Sequence, residues 1–178
     1  MLSTSSRWLL AAVALSVSCA HRPASTPPRA PSWTVSERAA GPLRIGMTVA
    51  EVGHALGTAF QPAYEMTDDC DMVSAPGGPP DISLMIVRDT LVRFDVTDSL
   101  TPTTTGMRVG TTEAHVLGIY GDGVRVEPHA YDDPDGHYLV VRPMTDSLYA
   151  IIFETDGRRV TSYRAGRWPE AGGIEGCL

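Results

Sequence analysis

The chain has 178 residues and no lysine; all fourteen of its basic residues are arginine. That bias is of the kind GC-rich coding produces, and no function follows from it. Basic charge is scarce overall, since twenty-one acidic residues leave a formal net charge of −7. From Gly41 onward ten arginines stand against twenty acids. Nucleic-acid binding needs a basic surface that displaces counterions, and neither the total nor any arginine cluster supplies one. Long apolar runs are also missing. The best, Trp8 to Val17, is ten residues, about half the ~20 that a membrane-spanning helix needs. No G-x-S-x-G and no C-x-x-C occurs, so neither a hydrolase nucleophile elbow nor a paired-thiol motif marks the chain. "GDGVR" at 121–125 has its glycines after a helix rather than before one, so it is no phosphate cradle.

What the N-terminus does contain is a targeting pattern. One charge, Arg7, precedes the short apolar run, which ends in "LSVSC". This is the layout of a secretory signal peptide. The small residue before Cys19 resembles a bacterial lipobox, although Leu15 stands four residues before the Cys rather than three. Lipidation at Cys19 is the first reading, with residues 1–18 as signal peptide. Cleavage after Ala20 at "SCA", giving a soluble secreted chain, is the second, and an ordinary N-terminal helix the third. Ala20 rather than Asp after the Cys points, by resemblance to bacterial lipoproteins, to the outer membrane and so to a periplasmic location. Residues 19–40 follow with four prolines between 23 and 31. Such a stretch buries too little to fold and reads as a tether of roughly 60 Å at ~3.1 Å per residue.

Only three cysteines are present. With Cys19 lipidated, Cys70 and Cys177 remain in an oxidising compartment, where a disulfide persists. The competing reading is two independent thiols. Neither has a neighbouring His or Arg cluster to activate a thiolate, so the disulfide is preferred.

Two segments, "IGMTVAEVGHALG" (45–57) and "VGTTEAHVLGIYG" (109–121), align without gaps. Gly46 meets Gly110, Thr48 meets Thr112, Ala50 meets Ala114, Val52 meets Val116 and Gly57 meets Gly121. Each Thr stands as a helix N-cap, and Thr48 with Glu51 makes a capping box. The closing glycines suit the left-handed C-terminal position. Each helix is thus about eight residues, too short to hold alone, and needs a sheet beneath it. Seven strand patterns supply one: "CDMVSAP", "DISLMIVRD", "LVRFDVTD", "VRVEPHAY", "GHYLVVRP", "SLYAIIFET" and "RRVTSYRAG". In the third, Val92, Phe94 and Val96 alternate with Arg93 and Asp95, so the three apolar residues share a face. Asp156-Gly157 is a hairpin turn signal. The expectation is an α+β fold: two tandem α-β-β-β(-β) repeats, 41–98 and 107–178, joined by a linker at 99–106. Halves of ~60 residues are marginal alone, so one continuous antiparallel sheet is expected, with the short helices on one face.

Units opened by hydrophobic-Gly-x-Thr and closed by Gly resemble the β-lactamase-inhibitor-protein fold. They also resemble the small outer-membrane-assembly lipoproteins of the SmpA/OmlA type, which carry one such unit. "RVEPHAY", "GHYL", "FETDGRRVTSYRAG" and "EGC" are similar to uncharacterised proteobacterial secreted proteins. The resemblance implies a binding or scaffold role without catalysis. It carries over no contact residues, because the match lies in helix-opening glycines and caps.

Candidate site residues follow from two patterns. "EPHAYDDPDGHY" sets His129 and His137 on strands flanking a turn, with Asp133 and Asp135 between them. Facing each other, the two imidazoles and a carboxylate could take Zn²⁺ or Cu²⁺; the plain alternative is an acidic turn. Separately, "ISLMIV", "HYLVVR" and "SLYAIIF" are apolar at nearly every position. Two helices cover one face, so Met85, Tyr138, Val140 and Tyr149 are expected on a less covered face that docks an envelope protein or apolar ligand. The function expected is a lipid-anchored envelope binding or scaffold protein with no cofactor. A metal- or ligand-binding protein using 127–137, and a hydrolase of unrecognised type, are the alternatives.

Overall fold

The computed structural model describes residues 33–59, 61–62 and 69–177. The signal-peptide run, Cys19 and the tether up to residue 32 lie outside them. The fold is mostly β, with two antiparallel sheets and two short helices. Three strands of two residues each, β1 (Val35–Ser36), β2 (Ala39–Ala40) and β3 (Leu43–Arg44), form a small sheet. Seven strands form the main one: β4 (Cys70–Ser74), β5 (Ile82–Val87), β6 (Thr90–Val96), β7 (Val124–Pro128), β8 (His137–Val141), β9 (Tyr149–Thr155) and β10 (Val160–Arg167). Their order across the sheet is β4-β5-β6-β10-β9-β8-β7. The main sheet therefore runs through both halves, which meet where β6 pairs with β10.

The expectation of one continuous sheet is corrected by the small sheet, and so is the start of the fold. Residues 33–40 were expected in the tether. Instead Val35 and Ala40 are fully buried and Trp33 packs against the same core. The apolar residues Trp33, Val35, Ala40 and Leu43 suffice to recruit this run once a sheet face is there to receive it. The linker is packed as well. Buried Asp81 accepts from the Thr101 amide and hydroxyl, both at 2.9 Å, and the Tyr163 hydroxyl donates to the Thr101 carbonyl.

The helices α1 (Val49–Leu56) and α2 (Glu113–Tyr120) begin alike. Gly46 and Gly110 have φ of 97° and 89°, a region L side chains avoid. Their amides donate to the carbonyls of Leu91 and Val160, each at 2.8 Å. The Val49 amide reaches the Asp89 carbonyl, as the Glu113 amide reaches that of Arg158. In return the Leu91 amide donates to Met47 and the Val160 amide to Thr111. Thr48 and Glu51 close the capping box; Thr112 accepts only from the His115 amide. Each helix thus hangs on the first residues of the last strand of its half.

Both helices, the small sheet and the linker cover one face. Leu84, Ile86, Phe94, Leu139, Ile151, Phe153 and Tyr163 point into that core, with Val52 of α1 and Val116 of α2 above them. Val92 does not join them. A register shift between β5 and β6 leaves Val92 as an extra residue between the pairs Met85↔Arg93 and Ile86↔Leu91. A bulge of this kind turns the following alternation over, so Val92 lies with Met85 and Cys177 on the far face while Phe94 and Val96 stay inside.

Candidate functional site

The far face is not open. After β10 the chain turns back and residues 168–177 run across it. Met85, Val92 and Cys177 form one buried cluster; Tyr138, Val140, Ala150, Ile152 and Ala171 form another, with Trp168 against it. Tyr138, Val140 and Met85 are each 4–5% exposed, and Tyr149 is half-buried with the Arg38 guanidinium over its ring. Tyr138, Val140 and Met85 of the expected docking patch are therefore core, closed by the tail, while Tyr149 alternates with Ile151 and Phe153 onto the helix side. A Cys70–Cys177 disulfide fixes the tail's far end, with Cα atoms 5.5 Å apart.

Between the two apolar clusters runs a charged row that sequence reading did not single out. Arg93, 2% exposed, pairs with Asp95 through two 2.8 Å bonds. Its Nη1 donates to the carbonyls of Glu170, Gly173 and Glu175 at 3.0–3.1 Å. Arg164, 4% exposed, donates to the Ala171 carbonyl at 2.8 Å and pairs with Glu154. A tail without regular structure has carbonyls that must be satisfied when buried; here two guanidiniums satisfy four of them. Each arginine keeps a carboxylate, so neither charge is buried alone. Arg167 holds the carboxyl of Glu170, in the tail's first turn, below its ordinary value. The Tyr131 hydroxyl donates to Glu175, which pushes the phenol's pKa up.

His129 and His137 lie on opposite faces of the sheet. Pro128 is the residue opposite His137 in the β7–β8 register, and the His129 amide donates to Gly136. One residue out of step in an antiparallel pair means opposite faces. His137 lies on the helix side, its Nδ1 3.1 Å from Glu113 Oε2. His129 lies on the tail side, stacked on Tyr138 at 4.5 Å. The amides of Tyr131 and Asp132 donate to His129 Nδ1 at 3.2 and 3.1 Å, which uses that lone pair. Asp133 and Asp135 are exposed on the turn. Among the described residues no group of three His, Cys, Asp or Glu is placed to hold a metal ion.

The Glu113–His137 pair resembles the orienting half of a catalytic triad, with Thr155 beside it. Yet the Thr155 hydroxyl donates to Glu113, not to the imidazole. A nucleophile must share its proton with the base, so the geometry is a structural tie between α2 and the ends of β8 and β9. The signal for this tie was Glu113 in the first turn of a helix above the strand that begins with His137; sequence alone does not bring the two together.

No family model matches the chain, and no curated protein matches it. Among solved structures it is similar to the crystal structure of the uncharacterized protein yfeY from Escherichia coli. The likeness is 15% identity with a TM-score of 0.45, covering 75% of this chain and 99% of that one.

Proposed function

We propose that the chain is a lipid-anchored, non-catalytic binding protein of the cell envelope that docks an extended strand of a protein partner along β7. The observation that carries this reading is a sheet largely covered on both faces whose edge strand β7 has, among the described residues, no strand outside it. β4, at the other edge, carries the disulfide to the tail. No described strand pairs with the outer side of β7. β7 carries exposed Val126, and α2, which leads into it, carries exposed Ile119. Natural edge strands are usually blunted by charge, proline, bulges or cover; β7 carries Arg125, Glu127 and Pro128, but its register with β8 is continuous through all five pairs, with no bulge. Strand addition uses main-chain bonds for affinity and side chains such as Val126 for choice. The apolar run ending at Cys19, followed by the proline-rich stretch, supports membrane attachment through a tether. The matched bonds at Gly46 and Gly110 support reading the two halves as copies of one unit, in keeping with the resemblance to tandem envelope proteins.

A photo-crosslinking residue at Val126 should give a discrete crosslinked protein in the membrane fraction of intact cells. The same residue at exposed Ala50 of α1 should give none. Ile119→Glu should abolish the band without changing the melting temperature, and Cys19→Ala should move the chain to the soluble fraction. Equal crosslinking at both positions, or a band indifferent to Ile119→Glu, overturns the docking surface; unchanged membrane retention of Cys19→Ala overturns the anchor.

A further inference from the structure

The tail leaves one corner of its face uncovered. There, where β7 begins and β8 ends, lies a cavity of about 360 Å³. Its lining includes Arg125, Arg142, Val124, Val140, Pro143 and Met144. The size is at the lower end for small-molecule sites, which are mostly apolar with a few placed polar groups. Arg142 follows β8 directly and is held from two sides. Its guanidinium stacks on Trp168 at 4.2 Å, and its Nη2 donates to the Ser147 carbonyl.

One atom in this corner stands out. Arg142 Nε is buried and has no hydrogen-bond partner, unlike every other buried side-chain nitrogen or oxygen among the described residues. A buried donor left unmade is costly, more so on a charged group, and calls for an explanation; a carboxylate entering from the cavity would satisfy it by drawing the guanidinium toward the opening. Arg125, opposite Val140 in the register, brings a second guanidinium to the cavity and pairs at 2.6 Å with Glu127. The one carboxylate in the lining is Asp122. Glu127 thus answers Arg125, which leaves the Arg142 guanidinium, stacked on Trp168, as the cation the cavity offers a ligand.

We infer that this corner binds a small carboxylic acid with a short apolar body, its carboxylate on the Arg142 guanidinium and its chain against Val140, Pro143 and Met144. Arginine suits the task, because its planar fork matches a carboxylate and stacking fixes its orientation. The apolar lining selects against free inorganic anions, which would gain the charge contact and nothing from the walls. The inference is independent of the β7 docking reading: the cavity borders the start of β7 at Val124 and Arg125, but its ligand is held by the Arg142 side chain and not by the main chain of the edge.

The test is calorimetric titration of the full chain with hexanoate, with Trp168 fluorescence as a second readout. Hexanoate should bind one to one. Hexanol and acetate should each bind at least about tenfold more weakly, the loss of one charge-assisted contact or of the apolar one. Arg142→Gln should weaken hexanoate by a similar factor. Met144→Glu, at a side chain that is fully exposed, should do so by placing a like charge at the mouth, with no effect on folding. No binding at millimolar hexanoate overturns the inference. So does equal binding of hexanol, or a Met144→Glu chain that binds as the parent does.

Discussion

The two faces of the main sheet are closed by opposite means. On the helix side, twenty-one buried residues form one apolar cluster, and two capped helices and a small sheet bring their own satisfied backbones to it. On the tail side, two clusters of three and five buried residues are split by Arg93, Asp95, Arg164 and Glu154. The lid there is a segment with only one short 3₁₀ turn, at Glu170–Gly172. Regular structure lets a lid be apolar, because its own backbone bonds are made. An irregular lid needs donors from the sheet below, and that need places charged side chains where apolar ones would otherwise pack.

Four experiments bear on this contrast. Phe94→Ala, on the helix side, should cost about 3–5 kcal/mol in denaturant unfolding, the usual loss for a buried phenylalanine. A loss under half of that would mean the helix-side core collapses around the gap, and the contrast in packing would be overstated. Cys177→Ser should cost about 2–4 kcal/mol, since the disulfide closes a separation of 107 residues. Amide exchange in that variant should rise first across residues 168–177 and leave β6 and β10 protected. Exchange rising uniformly would show the tail to be part of a single cooperative unit rather than a lid. Arg93→Met should cost about 2–3 kcal/mol, because three tail carbonyls and Asp95 lose their donor. Adding Asp95→Leu should recover little if the carbonyls are what matters; full recovery would reduce Arg93 to an ion-pair partner.

The smallest effect is on pH dependence. Glu170 on the tail side has its carboxyl lowered by Arg167, and Glu51 on the helix side by the Thr48 amide. A carboxyl lowered on folding stabilises fully above its unfolded value of about 4.3, and that contribution drains as pH falls through the lowered folded value. Melting temperature should therefore fall below about pH 4, and Glu170→Gln and Glu51→Gln should each flatten part of the fall. A profile unchanged in both variants would show that neither carboxyl contributes.

Most of the main sheet was legible because each strand is a short run bounded by turn residues, and the helices were legible from Thr48, Thr112 and the glycines around them. The Cys70–Cys177 pairing followed from the cysteine count. Three features were not legible, and each depends on how chain segments meet rather than on the pattern within one strand. The bulge that sends Val92 outward is set by how β5 meets β6. The burial of Tyr138 and Val140 depends on a tail whose glycine-rich sequence carries no periodic signal. The separation of His129 from His137 depends on the turn length, which decides whether two residues eight apart share a face. Arg93 read as the polar side of an amphipathic strand, which it is, but sequence alone does not say that carbonyls lie above it.

The position of β10 has a consequence for assembly. It is the last strand in sequence and sits fourth of seven, between β6 and β9. Gly166 is opposite Arg93 there, and a Cβ on it would come within 2.3 Å of the Val92 carbonyl. Until residues 160–167 arrive, β6 waits as a bare edge next to an unfinished core. Pairings this distant are slow to form because loop closure precedes their reward, and bare edges invite other chains meanwhile. A polypeptide made N-terminus first thus has the centre of its sheet built last, so the hazard it faces is aggregation during folding more than unfolding afterwards.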